Sequence, residues 1–66
     1  MRIIINGQEK DIKDGITIDK LLRELSLEGK VMAAAVNMNI VKQDIWDQYI
    51  LKENDKLELL DFVGGG

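Results

Sequence analysis

Apolar residues recur along this chain at two periods. In "RIIINGQEKDI", Ile3 and Ile5 fall on one side of an extended segment by the strand period of two. The Asn6-Gly7 pair that follows is a strong short hairpin feature, because a type I′ turn needs positive φ at both central residues. Ile12 closes a second strand that is otherwise polar and suits a sheet edge, and Asp14-Gly15 turns the chain. The period then changes. Ile18, Leu21, Leu22 and Leu25 stand at i, i+3, i+4 and i+7, one apolar stripe of a helix within "ITIDKLLRELSLEG". Thr17 is placed to cap it, Asp19 to face its dipole and Gly29 to stop it. "KVMAAAVN" reads as a strand despite its alanines, since Val31 and Val36 are β-branched and Asn37 and Asn39 supply turn chemistry after it. The alanines would let a helix pack close. Ile40 and Val41 suit a short strand, Asp44 to Gln48 a single helical turn with Asp44 as its cap, "ENDK" a turn, and "KLELLDFV" a last strand.

The predicted class is α+β: one main helix packed on one face of a mixed sheet of four or five strands. A hairpin, a helix and further strands in this order match the ubiquitin-like β-grasp arrangement. That arrangement would put the last strand in the middle of the sheet beside the first. The expected division is a domain over residues 1–63 and a flexible glycine tail over 64–66.

Composition then removes function classes. The sequence has 66 residues, and a chain of that size buries only about 60% of its unfolded surface. It contains no Cys and no His, which excludes a zinc site, a thiol nucleophile, an imidazole base and an iron–sulfur ligand set. Lacking Cys, it gives no sign of an oxidising compartment; lacking a long apolar run or a signal-peptide core, it points to the cytoplasm and away from membranes. A net charge of −3 with scattered basic residues argues against nucleic acid. No spacing among Asp44, Asp47, Glu53, Asp55, Glu58 and Asp61 singles out an acid/base pair, so no catalytic residue and no metal ligand is assigned, and Trp46 reads as a packing anchor.

Candidate chemistry lies at the end of the chain. Gly64, Gly65 and Gly66 directly follow the last strand. Without Cβ atoms they can thread a channel too narrow for any side chain, and three residues reach roughly 10 Å. The terminal carboxylate, with a reference pKa of about 3.3–3.7, is ionised at neutral pH and is a poor electrophile. Chemistry on Gly66 therefore requires activation, most simply as a mixed anhydride with AMP that a sulfur or amine nucleophile then opens. A frayed or foreign end would also carry glycines; the absence of any spacer after the strand favours a functional tail.

The segments "IIINGQ", "TIDKLLREL", "AAAVNMNIVKQDIW" and "DKLELLDFVGGG" together resemble the ThiS-type sulfur carriers of thiamin biosynthesis, over nearly the whole chain. Lys42 stands where many relatives have a proline. The resemblance implies a protein cosubstrate, not an enzyme, and a monomer in isolation. An E1-like adenylating enzyme would activate the Gly66 carboxylate with ATP and magnesium, with no cofactor bound by the carrier itself. A sulfur donor such as a cysteine desulfurase relay would convert it to a thiocarboxylate, and a thiazole synthase would receive the sulfur. Gly65 and Gly66 match the family's tail motif, and Gly64 extends it.

The period of two divides the last strand. Leu57 and Leu59 are assigned to the core with Ile3, Ile5, Ile18, Leu22 and Leu25, which leaves Leu60 and Phe62 on the open face beside the tail as a docking patch. The competing readings are a molybdopterin-synthase small subunit or other thiocarboxylate carrier, a ubiquitin-like protein modifier, and an interaction module with an inert tail.

Overall fold

A computed structural model describes residues 1–61. Five strands and one helix follow in the order β1 (Arg2–Ile5), β2 (Gln8–Asp11), α1 (Ile18–Glu24), β3 (Val31–Val36), β4 (Asn39–Val41) and β5 (Lys56–Asp61), with a 3-10 turn over Gln43–Ile45 between the last two strands. The strands form one mixed sheet in the order β2-β1-β5-β3-β4. β5 lies at its centre, parallel to β1 and antiparallel to β3. This is the β-grasp arrangement expected from the order of elements. Of the predicted division, residues 62–66 lie outside the described residues.

Two-residue type I′ turns build both hairpins. Asn6 (φ 48°) and Gly7 (φ 85°) join the paired Ile5 and Gln8. Asn37 (φ 51°) and Met38 (φ 74°) join the paired Val36 and Asn39. Asn39 thus begins β4 and is not a turn residue. β2 is exposed throughout, as its polar sequence requires of an edge.

The helix begins where the sequence places it. Thr17 Oγ1 accepts the Lys20 N–H at 3.3 Å, and Asp19 lies in the first turn, where it also pairs with Arg23 at 3.3 Å. The next free donors are met by a loop: Ile18 N–H donates to the Tyr49 carbonyl (3.1 Å) and Asp19 N–H to the Trp46 carbonyl (3.1 Å). The end differs from expectation. The helix closes at Glu24, well before Gly29, in a Schellman motif: Ser26 N–H donates to Arg23 O (3.1 Å) and Leu27 N–H to Leu22 O (2.7 Å). The residue in the left-handed conformation is Ser26, at φ 60°. Gly29, at φ 76°, serves the next turn, where Lys30 N–H donates to Leu27 O. Asp44 is not a cap either. The 3-10 turn starts one residue earlier, with Lys42 at its N-cap and no side-chain capping bond.

One buried cluster holds the layers together: Ile18, Leu21 and Leu22 from the helix, Ile3, Ala34, Val36, Val41, Leu57 and Leu59 from the sheet, and Ile16, Trp46 and Leu51 from the connections. Ile5 and Leu25 pack against it partly buried. Trp46 is a packing anchor, as read from the sequence: its ring is buried and its Nε1–H donates to the Val41 carbonyl at 2.8 Å. Of the three alanines only Ala34 is fully buried in this core. A register shift between Val31 and Ala33 turns Val31 inward and Met32 outward, and Gln43 Nε2 donates to the Met32 carbonyl at 3.0 Å.

Candidate functional site

β5 sets the site, because the chain beyond it carries the glycines. Its alternation divides as predicted: Leu57 and Leu59 are buried, and Leu60 is 60% exposed on the opposite face. Phe62, Gly64, Gly65 and Gly66 lie outside the described residues, so the structure places only Leu60 of the predicted site.

Cross-strand register shows what surrounds Leu60. It stands opposite Ala33, while Ala35 stands opposite both Glu58 and Ile40. Ile40 is 73% exposed. A shallow groove of about 480 Å³ runs over this face, lined by Asn6, Ala33, Ala35, Ile40, Glu58 and Leu60. The small alanines form its floor, and Ile40 and Leu60 flank it. Ile40, Ala33 and Ala35 were not singled out from the sequence. The alternation of β3 and β4 could have found them only once their register against β5 was known.

Hydrogen bonds from two asparagine side chains fix β5 at either end. Near its start, Asn37 Oδ1 accepts the Lys56 N–H (3.0 Å) and Asn37 Nδ2 donates to Asp55 Oδ1 (2.9 Å). Asp55 Oδ2 in turn accepts the Lys52 N–H (2.8 Å), so the one buried carboxylate among the described residues is fully engaged in closing the "ENDK" turn. Nearer the tail, Asn6 Oδ1 accepts the Leu59 N–H at 2.8 Å, and Asn6 Nδ2 donates to the Leu59 carbonyl at 3.4 Å.

Among the described residues, no group of three or more acidic side chains could hold a metal ion, and no helix is long and apolar enough to cross a membrane. The groove face is mainly apolar and shallow.

Known proteins share this chain's sequence pattern and fold. The chain is 35% identical over 66 residues to a thiazole synthase of Paramagnetospirillum magneticum (strain AMB-1), spanning 20% of that protein's length. It is 32% identical over 66 residues to the sulfur carrier protein ThiS of Escherichia coli (strain K12), with both chains covered completely. It is 35% identical over 63 residues to the sulfur carrier protein ThiS of Bacillus subtilis (strain 168), covering 94% of this chain and 96% of that one. The crystal structure of a thiamine biosynthesis protein (ThiS) from Geobacter metallireducens superimposes with a TM-score of 0.82 over the full length of both chains at 24% identity, a match of fold. The ThiS family model matches residues 3–66, which takes in every strand from Ile3 onward, the groove face and the terminal glycines. The chain belongs to the ThiS family.

Proposed function

We propose that this chain is a cytoplasmic sulfur carrier of thiamin biosynthesis that works through its last residue. The observation that carries this reading is similarity to two proteins named sulfur carriers, one matched along this whole chain and the other over 94% of it, with the family model running to Gly66. A carboxylate oxygen of Gly66 attacks the α-phosphorus of ATP, pyrophosphate leaves, and an acyl adenylate forms. The terminal sulfur of a persulfide on a donor protein, such as a cysteine desulfurase relay, then attacks the acyl carbon and displaces AMP, giving an acyl disulfide. A second protein thiol cleaves its S–S bond, is oxidised to a disulfide with the donor sulfur, and leaves a thiocarboxylate on Gly66. The activating partner, an E1-like adenylating enzyme, supplies the site for ATP and magnesium. The carrier supplies a glycine end without side chains and a face to grip.

The acceptor in this reading is a thiazole synthase. Thiazole synthases of two organisms contain a segment similar to this entire chain, which supports a working contact between the two activities. The docking face in this reading is the groove flanked by Leu60 and Ile40, together with Phe62, which lies outside the described residues. Two large exposed apolar residues on one sheet face suit a partner surface.

The test is carrier-dependent ATP–pyrophosphate exchange by the adenylating enzyme of the source organism. Exchange should occur with the native chain and vanish on deletion of Gly66. Exchange that survives the deletion would show that Gly66 is not the activated residue.

A further inference from the structure

A parallel ladder between β1 and β5 advances in even steps. Ile4 N–H donates to the Asp55 carbonyl (2.9 Å) and Asn6 N–H to the Leu57 carbonyl (3.0 Å). Continued by one step, the ladder would bring the Leu59 N–H to the main-chain carbonyl of Asn6. It would then bring the Gln8 N–H to the Leu59 carbonyl. Neither rung can form, because the chain turns away at Asn6-Gly7 and Gln8 pairs back with Ile5.

The Asn6 side chain supplies both missing rungs. Its Oδ1 accepts the Leu59 N–H at 2.8 Å and its Nδ2 donates to the Leu59 carbonyl at 3.4 Å. A carboxamide has the same planar donor–acceptor pair as a peptide unit. Asparagine also tolerates the positive φ that the first turn position requires. Glycine would keep the turn and lose both bonds. Aspartate would keep the acceptor and lose the donor. Among the described residues these are the last hydrogen bonds from β5 toward β1; beyond Leu59 the strand pairs only with β3. Asn6 also lines the groove beside Leu60.

We propose that Asn6 is a positioning residue, whose carboxamide replaces a missing peptide unit of β1 and fixes the course of β5 at Leu59, upstream of the C-terminal glycines in the sequence. The proposal rests on the carrier reading for its functional half and on the Asn6–Leu59 geometry for its structural half.

The test uses the native chain, Asn6→Gly and Asn6→Asp, all at a temperature where thermal melts show each folded. Amide hydrogen exchange by NMR reads the clamp. In Asn6→Gly, protection of the Leu59 amide should fall about tenfold, while the Ile18 amide, bonded to Tyr49, keeps its protection. Pyrophosphate exchange with the adenylating enzyme of the source organism reads delivery. In Asn6→Gly, kcat should fall about tenfold while KM for the carrier rises by no more than about threefold, because the groove loses the Asn6 side chain but keeps its flanking Leu60 and Ile40. Asn6→Asp should fall between the two. Unchanged Leu59 protection overturns the clamp. A lost clamp with unchanged kcat, or a rise in KM alone, overturns the positioning role. If the native chain supports no exchange, the carrier reading and the delivery role fail together, and the amide measurement still decides the clamp.

Discussion

Ser26 occupies the left-handed position that ends α1, at φ 60°. A residue with a Cβ is disfavoured there by roughly 1–2 kcal/mol, and glycine is the usual occupant. Ser26→Gly should therefore raise the unfolding free energy by about 0.5–1 kcal/mol, read from the urea midpoint at constant m-value. Asn37 gives the opposite case. Its side chain bonds both Lys56 and Asp55 while its backbone sits at φ 51°. Asn37→Ala strains the turn and leaves the buried Asp55 carboxylate short of a donor, and should lower stability by about 2 kcal/mol on the same measurement. These positions also mark what a sequence discloses at this scale. Asn6-Gly7 is legible because both residue types accept positive φ. Asn37-Met38 is half legible, since methionine is no turn residue, and the Ser26 cap is not, because Gly29 three residues later offers a stronger stop. The Asn6–Leu59 bonds were invisible for another reason: their partners are 53 positions apart in the chain.

At the scale of elements, the period of two assigned Leu57 and Leu59 to the core and Leu60 to the open face, and the structure agrees. Alternation works there because β5 is central and only one of its faces is buried. It fails at the start of β3, where the register shift turns Val31 inward. The connection after β4 was legible only as a helical turn and an anchor. Its role in satisfying the helix N-terminus depends on main-chain carbonyls of Trp46 and Tyr49, which carry no side-chain signature. Two predictions belong here. Leu60→Asp removes an exposed side chain and should leave the thermal midpoint nearly unchanged, within the roughly 0.5 kcal/mol typical of surface substitutions, while raising KM for the adenylating enzyme at least about tenfold. Equal losses in stability and in KM would mean that Leu60 serves the fold and not a partner. Trp46→Phe keeps most of the buried ring but leaves the Val41 carbonyl without its donor, and should destabilise by about 1–3 kcal/mol in denaturant titration; Trp46→Ala should cost about 3–5 kcal/mol.

The molecule as a whole is small, and its described core rests on one helix and one sheet face without disulfide or histidine ligand. Its side chains offer no nucleophile of the thiol or imidazole kind, and its one buried carboxylate among the described residues closes a turn. Its central strand ends at Asp61, with two residues between it and the glycines in the sequence, is bonded by asparagine side chains near both ends, and has an apolar groove beside it. That arrangement suits a protein acted upon at its end by enzymes that hold its face. The most direct test is the intact mass of the native chain after incubation with ATP and a sulfur source in extract of the source organism, beside a chain lacking Gly66. The account predicts a gain equal to the exchange of one oxygen for sulfur, dependent on ATP and absent from the truncated chain. An unchanged mass, in an extract that demonstrably thiocarboxylates another carrier, would contradict it.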